Sequence, residues 1–183
     1  MLFKIFSHSS ALVLAAAALT ASAPSVFTFH GSLDDSPVVE AMVESQIAAG
    51  DGFLRSAQFG AAVQAYEVAA TLDRARGELP VEALRRVANA RFYQGDFEGA
   101  AETLVGLADE AAAATASQTE FWACLDAATM DRLAGDREGL ERSVTRAQIL
   151  LDSAAFSDGE RDEVIRTVMH SDLKVFAPHL TSW

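Results

Sequence analysis

The sequence predicts an all-α chain built from antiparallel helix hairpins, and three observations carry that reading. From Pro37 to Met169 the apolar residues recur at spacings of three and four, the period of one helix face. Turn residues, above all Gly followed by Asp, cut that periodic stretch into lengths suited to paired helices joined by short turns. Extended segments alternating apolar and polar residues, which a half-buried strand would need, are missing.

The first periodic element opens at Ser36-Pro37, a cap followed by Pro at the first helical position. Val39, Met42, Val43, Ile47 and Gly50 share one of its faces. A second helix begins after Ala57-Gln58, carries Phe59, Ala62, Val63, Tyr66, Ala69 and Ala70, and stops at Arg76-Gly77. Leu79-Pro80-Val81-Glu82 opens a third, with Pro80 in the first turn and Glu82 near the positive end of the helix dipole. Gly95-Asp96 ends it and starts a fourth through Phe97, Ala100, Ala101, Leu104, Leu107 and Ala108.

Ser117-Gln118-Thr119-Glu120 has the form of a capping box and opens a fifth helix that runs to Gly135-Asp136. A sixth carries Leu140, Val144, Ala147 and Ile149-Leu150-Leu151. Ser157-Asp158-Gly159-Glu160 is a second capping box, before a last amphipathic helix with Val164, Ile165, Val168 and Met169. Its acids Asp158, Glu160, Asp162 and Glu163 suit the start of a helix better than a calcium loop, which needs regularly spaced oxygens.

The amino terminus reads as an address. Residues 1–23 combine a short region with Lys4, the uncharged run Ala11 to Leu19, and Ala21-Ser22-Ala23, the small-x-small pattern of a cleaved export signal. The apolar run is short for a bilayer span, and no Cys follows it to accept a lipid. Pro24 directly after the cut is poorly tolerated there, which leaves a different cut or a retained anchor open. The expectation is an exported chain, periplasmic or secreted and bacterial in its leader, with no stable membrane insertion after cleavage. Residues 24–35 read as a flexible lead-in, 36–153 as the helical repeat domain, and 154–183 as a capping helix and tail.

Composition narrows the function. With 14 basic and 26 acidic residues the net charge is −12, and loss of Lys4 with the leader would make the remainder more acidic. Such a surface repels nucleic acid and anionic lipid. Cys124 is the lone cysteine, which excludes an intramolecular disulfide and, within Phe121-Trp122-Ala123-Cys124-Leu125, reads as a small buried hydrophobe.

Aligning the helix pairs exposes an internal repeat. Phe59-x-x-Ala62-x-x-x-Tyr66-x-x-Ala69 corresponds to Phe97-x-x-Ala100-x-x-x-Leu104-x-x-Leu107, 38 residues on, and Gly95-Asp96 recurs 40 residues on as Gly135-Asp136. Fixed periods of this size mean stacked helical hairpins. On Gly50, Phe53, Ala62, Tyr66 and Ala69 in the first unit, and Gly95-Asp96-Phe97 with Ala100 in the second, the chain resembles the tetratricopeptide repeat (TPR) family. It departs from that family in having Ala88 for the usual Gly, Arg91 for an aromatic, Leu140 for a small residue, no leading Trp and no closing Pro. The resemblance spans about Pro37 to Asp152 and implies a short TPR-like right-handed solenoid of three divergent units, with the helix after Ser157 capping its last face.

No catalytic constellation emerges. His8, His30, His170 and His179 show no helical ligand spacing, so no metal or cofactor is expected. Nucleophile-elbow and phosphate-loop patterns are missing, and Ser171-Asp172-Leu173-Lys174 matches an active-site Ser-x-x-Lys without its companion motifs. The resemblance implies instead a concave wall, formed by the first helix of each pair, that binds a peptide or partner helix. Register places Glu82, Arg85, Asn89, Phe92 and Tyr93 there from the second unit, and Trp122, Leu125, Thr129 and Arg132 from the third. The partner-binding set expected is therefore Arg85, Asn89, Phe92, Tyr93, Trp122 and Arg132. Arg85 and Asn89, one turn apart, match the pair with which peptide-clamping members hold a carboxylate, so an acidic chain end is the partner chemistry expected. The alternatives are a small-ligand or enzyme site around His170, Asp172, Lys174 and His179, or a self-associating structural protein.

Overall fold

Among the described residues, seven long α-helices follow one another with turns of a few residues: α1 Pro37–Arg55, α2 Phe59–Ala75, α3 Val81–Gln94, α4 Phe97–Ala113, α5 Ser117–Ala134, α6 Arg137–Asp152 and α7 Asp158–Met169. A 3-10 turn, Asp172–Phe176, and a single turn of helix, α8 Ala177–Leu180, end the chain described. The computed structural model describes residues 37–180, so the leader, the lead-in and the expected cap Ser36 lie outside the described residues. Among those described there is no strand, and each of the first six helices packs on its neighbours in sequence. The architecture is the all-α, repeat-like array that periodicity predicts. No helix among the described residues is long and apolar enough to cross a membrane.

The turns repeat in backbone detail. Ala57, Gly95 and Gly135 adopt left-handed φ values of 55°, 79° and 78° at the turn inside each hairpin. Gly77 and Thr115, at 73° and 56°, do so between hairpins. In all five, the N–H of the following residue donates to a carbonyl five positions back: Gln58 to Phe53, Glu78 to Asp73, Asp96 to Arg91, Ala116 to Ala111 and Asp136 to Asp131. This is the Schellman closure. Asp96 and Asp136 then cap the next helix, each accepting a 3.0 Å bond from the N–H of Gly99 or Gly139, which satisfies one of the orphan donors at a helix start.

Packing inside the hairpins repeats as well. A Cβ on Gly50 would fall within 2.7 Å of three ring atoms of Tyr66, so the ring fills the space that the missing side chain leaves. Sixteen residues also separate Ala88 from Leu104 and Ala128 from Val144, and each of those pairs shares a buried cluster. Tyr66 meets Val87 and Ala90, while Leu104 meets Ala127 and Met130, the same two positions 40 residues later. The largest cluster runs from α2 to α8 and includes Leu107, Phe121, Leu125, Leu151, Val168, Phe176 and Leu180. Cys124 lies within it, and burial pushes its thiol up to about 11.

The two expected capping boxes part company. At Ser157 both halves form: its N–H donates to Glu160 Oε2 at 2.9 Å and its Oγ accepts from the Glu160 N–H at 3.4 Å. At Ser117 the box is absent, because Ser117 is already helical, Ala116 occupies the cap position, and no side chain caps it. Glu120 is buried instead and accepts from Arg146 Nε at 2.7 Å. An arginine on α6 outcompetes a backbone N–H for that carboxylate, as a charge-assisted bond at a buried site does.

Candidate functional site

The first helices of the second and third hairpins, α3 and α5, stand side by side and leave a cleft of about 320 Å³, near the low end of the range for ligand pockets. From α3 it is lined by Arg85, Ala88, Asn89 and Phe92, and from α5 by Asp126, Thr129 and Met130. Leu104 contributes from α4 and Leu173 from the 3-10 turn. The α3 residues lie together because positions i, i+4 and i+7 share a helix face. Ala88, the small residue of the repeat, brings α3 close to α4 and sets the floor with Leu104.

Three of the six expected binding residues, Arg85, Asn89 and Phe92, therefore converge. Arg85 already has a partner: its Nη2 is 3.3 Å from Asp126 Oδ2 across the cleft. Burial raises the Asp126 carboxyl above the ordinary range, and Arg85 opposes that shift. Thr129 Oγ1 donates to the Leu125 carbonyl at 3.0 Å, leaving its lone pairs to accept. The Asn89 side chain is exposed and makes no hydrogen bond among the described residues, so a residue that lines the cleft has its donor and acceptor unspent. Apolar floor and polar rim are thus combined on one concave surface.

The other three stand apart. Tyr93 is 54 % exposed and stacks on Phe59 at 6.0 Å, with Phe92 edge-on to it at 5.5 Å, so it extends an aromatic group beside the cleft rather than lining it. Arg132 is exposed on the last turn of α5 and does not line the cleft. Trp122 packs edge-on against Phe121 at 5.1 Å and lines a separate crevice with Glu160, Glu163, Val164 and Thr167 of α7. Leu125, expected on the same wall, is fully buried with Phe176, Ala177 and Leu180. The cause is the returning C-terminal segment, which covers the flank of α5 that in α3 remains open.

Register carried over from the second unit missed Asp126, Met130 and Leu173. Met130 and Asp126 are one turn apart on α5 and follow the cleft-lining face of α3 with a shift of one position. Nothing local marks Leu173 as a wall residue.

A larger cleft, about 690 Å³ between α4 and α6, contains Arg146. That guanidinium is committed to Glu120, to Asp109 at 2.5 Å and to the Ala108 carbonyl at 3.1 Å. Of the alternative site at the C-terminus, His170, Asp172 and Lys174 are exposed, and His170 Nδ1 contacts the Arg166 carbonyl at 2.7 Å. None of these three makes a bond to another. Among the described residues no group of acids, His or Cys is arranged to hold a metal ion.

Comparison with known proteins gives no match: no family model fits the chain, and no curated protein sequence matches it significantly.

Proposed function

We propose that this chain is an exported, TPR-like interaction module, a scaffold or adaptor that binds a segment of another protein in the cleft between α3 and α5. The observation that carries the reading is the convergence of Arg85, Asn89 and Phe92 with Thr129 and Met130 on one concave surface, with the Asn89 amide unspent. An extended peptide offers what such a surface lacks, namely apolar side chains for the floor and backbone amides for Asn89. The leader-like residues 1–23 support the exported address.

The Arg85–Asp126 pair refines the expected partner. An acidic chain end must displace Asp126 to reach Arg85, so the pair acts as an internal competitor for anionic ligands. Replacing Asp126 with Asn frees the guanidinium and is expected to raise affinity for peptides with a free C-terminal carboxylate, but not for their amidated forms.

The test starts from a displayed random-peptide library selected on the full chain, followed by calorimetric titration of a recovered peptide. Asn89→Ala and Phe92→Ala are expected to weaken binding at least tenfold, roughly 1.4 kcal/mol or more, with unchanged helical circular dichroism. Unaltered affinity in both variants rejects the cleft.

A further inference from the structure

We infer that the outer face of the α1–α2 hairpin is a self-association surface that takes a second copy of this chain. One flank of the hairpin holds the array together through charge: Asp51 is bonded to Arg86, Glu67 to Arg91 at 3.3 Å, and Glu110 to Arg74 at 2.6 Å. At about 100° per residue, the opposite flank carries Val38, Met42, Ser45, Ala49 and Phe53 on α1, and Ala61, Ala65, Val68 and Leu72 on α2. No charged residue falls on that arc. Val38 at 65 %, Met42 at 48 % and Val68 at 47 % are open to solvent, while Ala61 and Leu72 are half-buried and Ala65 is buried between them.

The repeat shows what this flank is built for. Shifted by 38 residues, Ser45 and Ala49 become Ala83 and Val87, and Ala61 becomes Gly99, all of which are buried. The second hairpin thus uses this flank to receive the first. The far end of the array is closed by α7 and the C-terminal segment, whereas among the described residues no helix stacks on this face of the first hairpin. Terminal units of soluble arrays ordinarily carry a polar outer face, and a contiguous apolar one marks an interaction site.

Charge and area select the occupant. A chain of net charge −12 repels its own copies over most of its surface. In a two-fold pair each patch meets itself, so like charges would be set against each other anywhere except on an uncharged face. Two helices of this length, about 28 Å by 20 Å in projection, cover about 1,100 Å² in a pair, just above the roughly 1,000 Å² that a specific interface needs. That size fits a reversible dimer. The cleft between α3 and α5 is lined by none of these residues, so pairing would present two clefts and make binding bivalent.

The test is mass against concentration for the full chain, by light scattering or sedimentation equilibrium. The wild type is expected to rise from 19.5 kDa toward twice that value. Met42→Glu and Val68→Glu, at exposed positions that leave the helical spectrum unchanged, are expected to hold the mass at the monomer value at every concentration. Ile149→Glu, at a still more exposed position on α6, is expected to leave the rise intact. A wild type that stays monomeric overturns the inference. So does association that survives both substitutions, as association through the apolar run Ala11 to Leu19 would.

Discussion

Gly50 offers the most direct test of how the hairpins are built. Changing it to Ala brings two opposed effects into one helix. Ala is favoured over Gly in a helix interior by about 1 kcal/mol, while the new methyl lies within 2.7 Å of three Tyr66 ring atoms, against an ordinary carbon contact of about 3.5–4.0 Å. The ring cannot swing aside. It is fully buried, its hydroxyl donates to Asp51 Oδ1 at 2.6 Å, and the Arg86 guanidinium lies 6.0 Å from its centroid. Forced overpacking costs about 1–3 kcal/mol, and a pinned ring places this site at the upper end, for a net loss of about 1–2 kcal/mol. Gly52, two residues on, supplies the control: a Cβ there meets nothing within 4 Å, so Gly52→Ala is expected to gain about 1 kcal/mol. Urea titrations at constant slope should therefore separate the two variants by about 2–3 kcal/mol, a difference from which helix propensity cancels. Adding Tyr66→Leu to Gly50→Ala recreates the Ala88 and Leu104 pairing and should recover more stability than the single changes add up to. If Gly50→Ala proves as stable as Gly52→Ala, the ring does not occupy the space assigned to it.

Three further outcomes are expected. Thr115 holds a left-handed φ of 56° where the preceding unit has Gly77; relieving a cost of about 1–2 kcal/mol, partly offset by the freer unfolded chain, Thr115→Gly should raise the urea midpoint, and a lower midpoint counts against the strain. Arg146→Met strands the buried Glu120 carboxylate and should cost about 3 kcal/mol, the low end for a broken buried pair because the guanidinium keeps some access to water. Arg137→Ala, which breaks an exposed pair with Glu141, should cost under about 1 kcal/mol, and equal losses in thermal melts would contradict the distinction. Burial, and then the bond to Asp51, push the Tyr66 hydroxyl up from 10.0 to about 12. Its contribution to stability is fully present below pH 10 and lost as pH rises through about 12, so Tyr66→Phe should flatten the alkaline limb of the stability profile.

Helix boundaries are legible in this chain where the stop is chemical. Gly95-Asp96 and Gly135-Asp136 each supply a left-handed closure and a side-chain cap. Ala57 and Thr115 make the same closure without a Gly, so no residue type marks those stops, and the sequence locates them only by where the next helix begins. Ser117-x-x-Glu120 and Ser157-x-x-Glu160 are the same local signal, yet one forms a box and the other does not, because the deciding arginine comes from another helix. The cleft divides along the same line. Arg85, Asn89 and Phe92 share one face of one helix, which periodicity exposes. The surroundings of Trp122 and Leu125 depend on a segment that returns from beyond α7, and no spacing within α5 records that return.

Because each hairpin leans mainly on its neighbours, damage at one end should stay there. Tyr66 belongs to a small cluster with Ala62, Val87 and Ala90, separate from the large one that joins α2 to α8. In a quasi-linear array, stability is approximately a sum of unit and interface contributions, so a lesion in the first unit frays that unit before it unfolds the rest. Gly50→Ala should therefore accelerate amide hydrogen exchange in α1 and α2 by about tenfold for each 1.4 kcal/mol lost. Exchange in α5, whose Phe121, Leu125 and Ala128 sit in the large cluster, should remain near the wild-type rate. Peptide capture by the cleft between α3 and α5 should survive as well, which separates damage to the scaffold from damage to the site. Equal acceleration in α1 and α5 would mean that the array unfolds as one cooperative block, and the unit-by-unit account of its energetics would have to be given up.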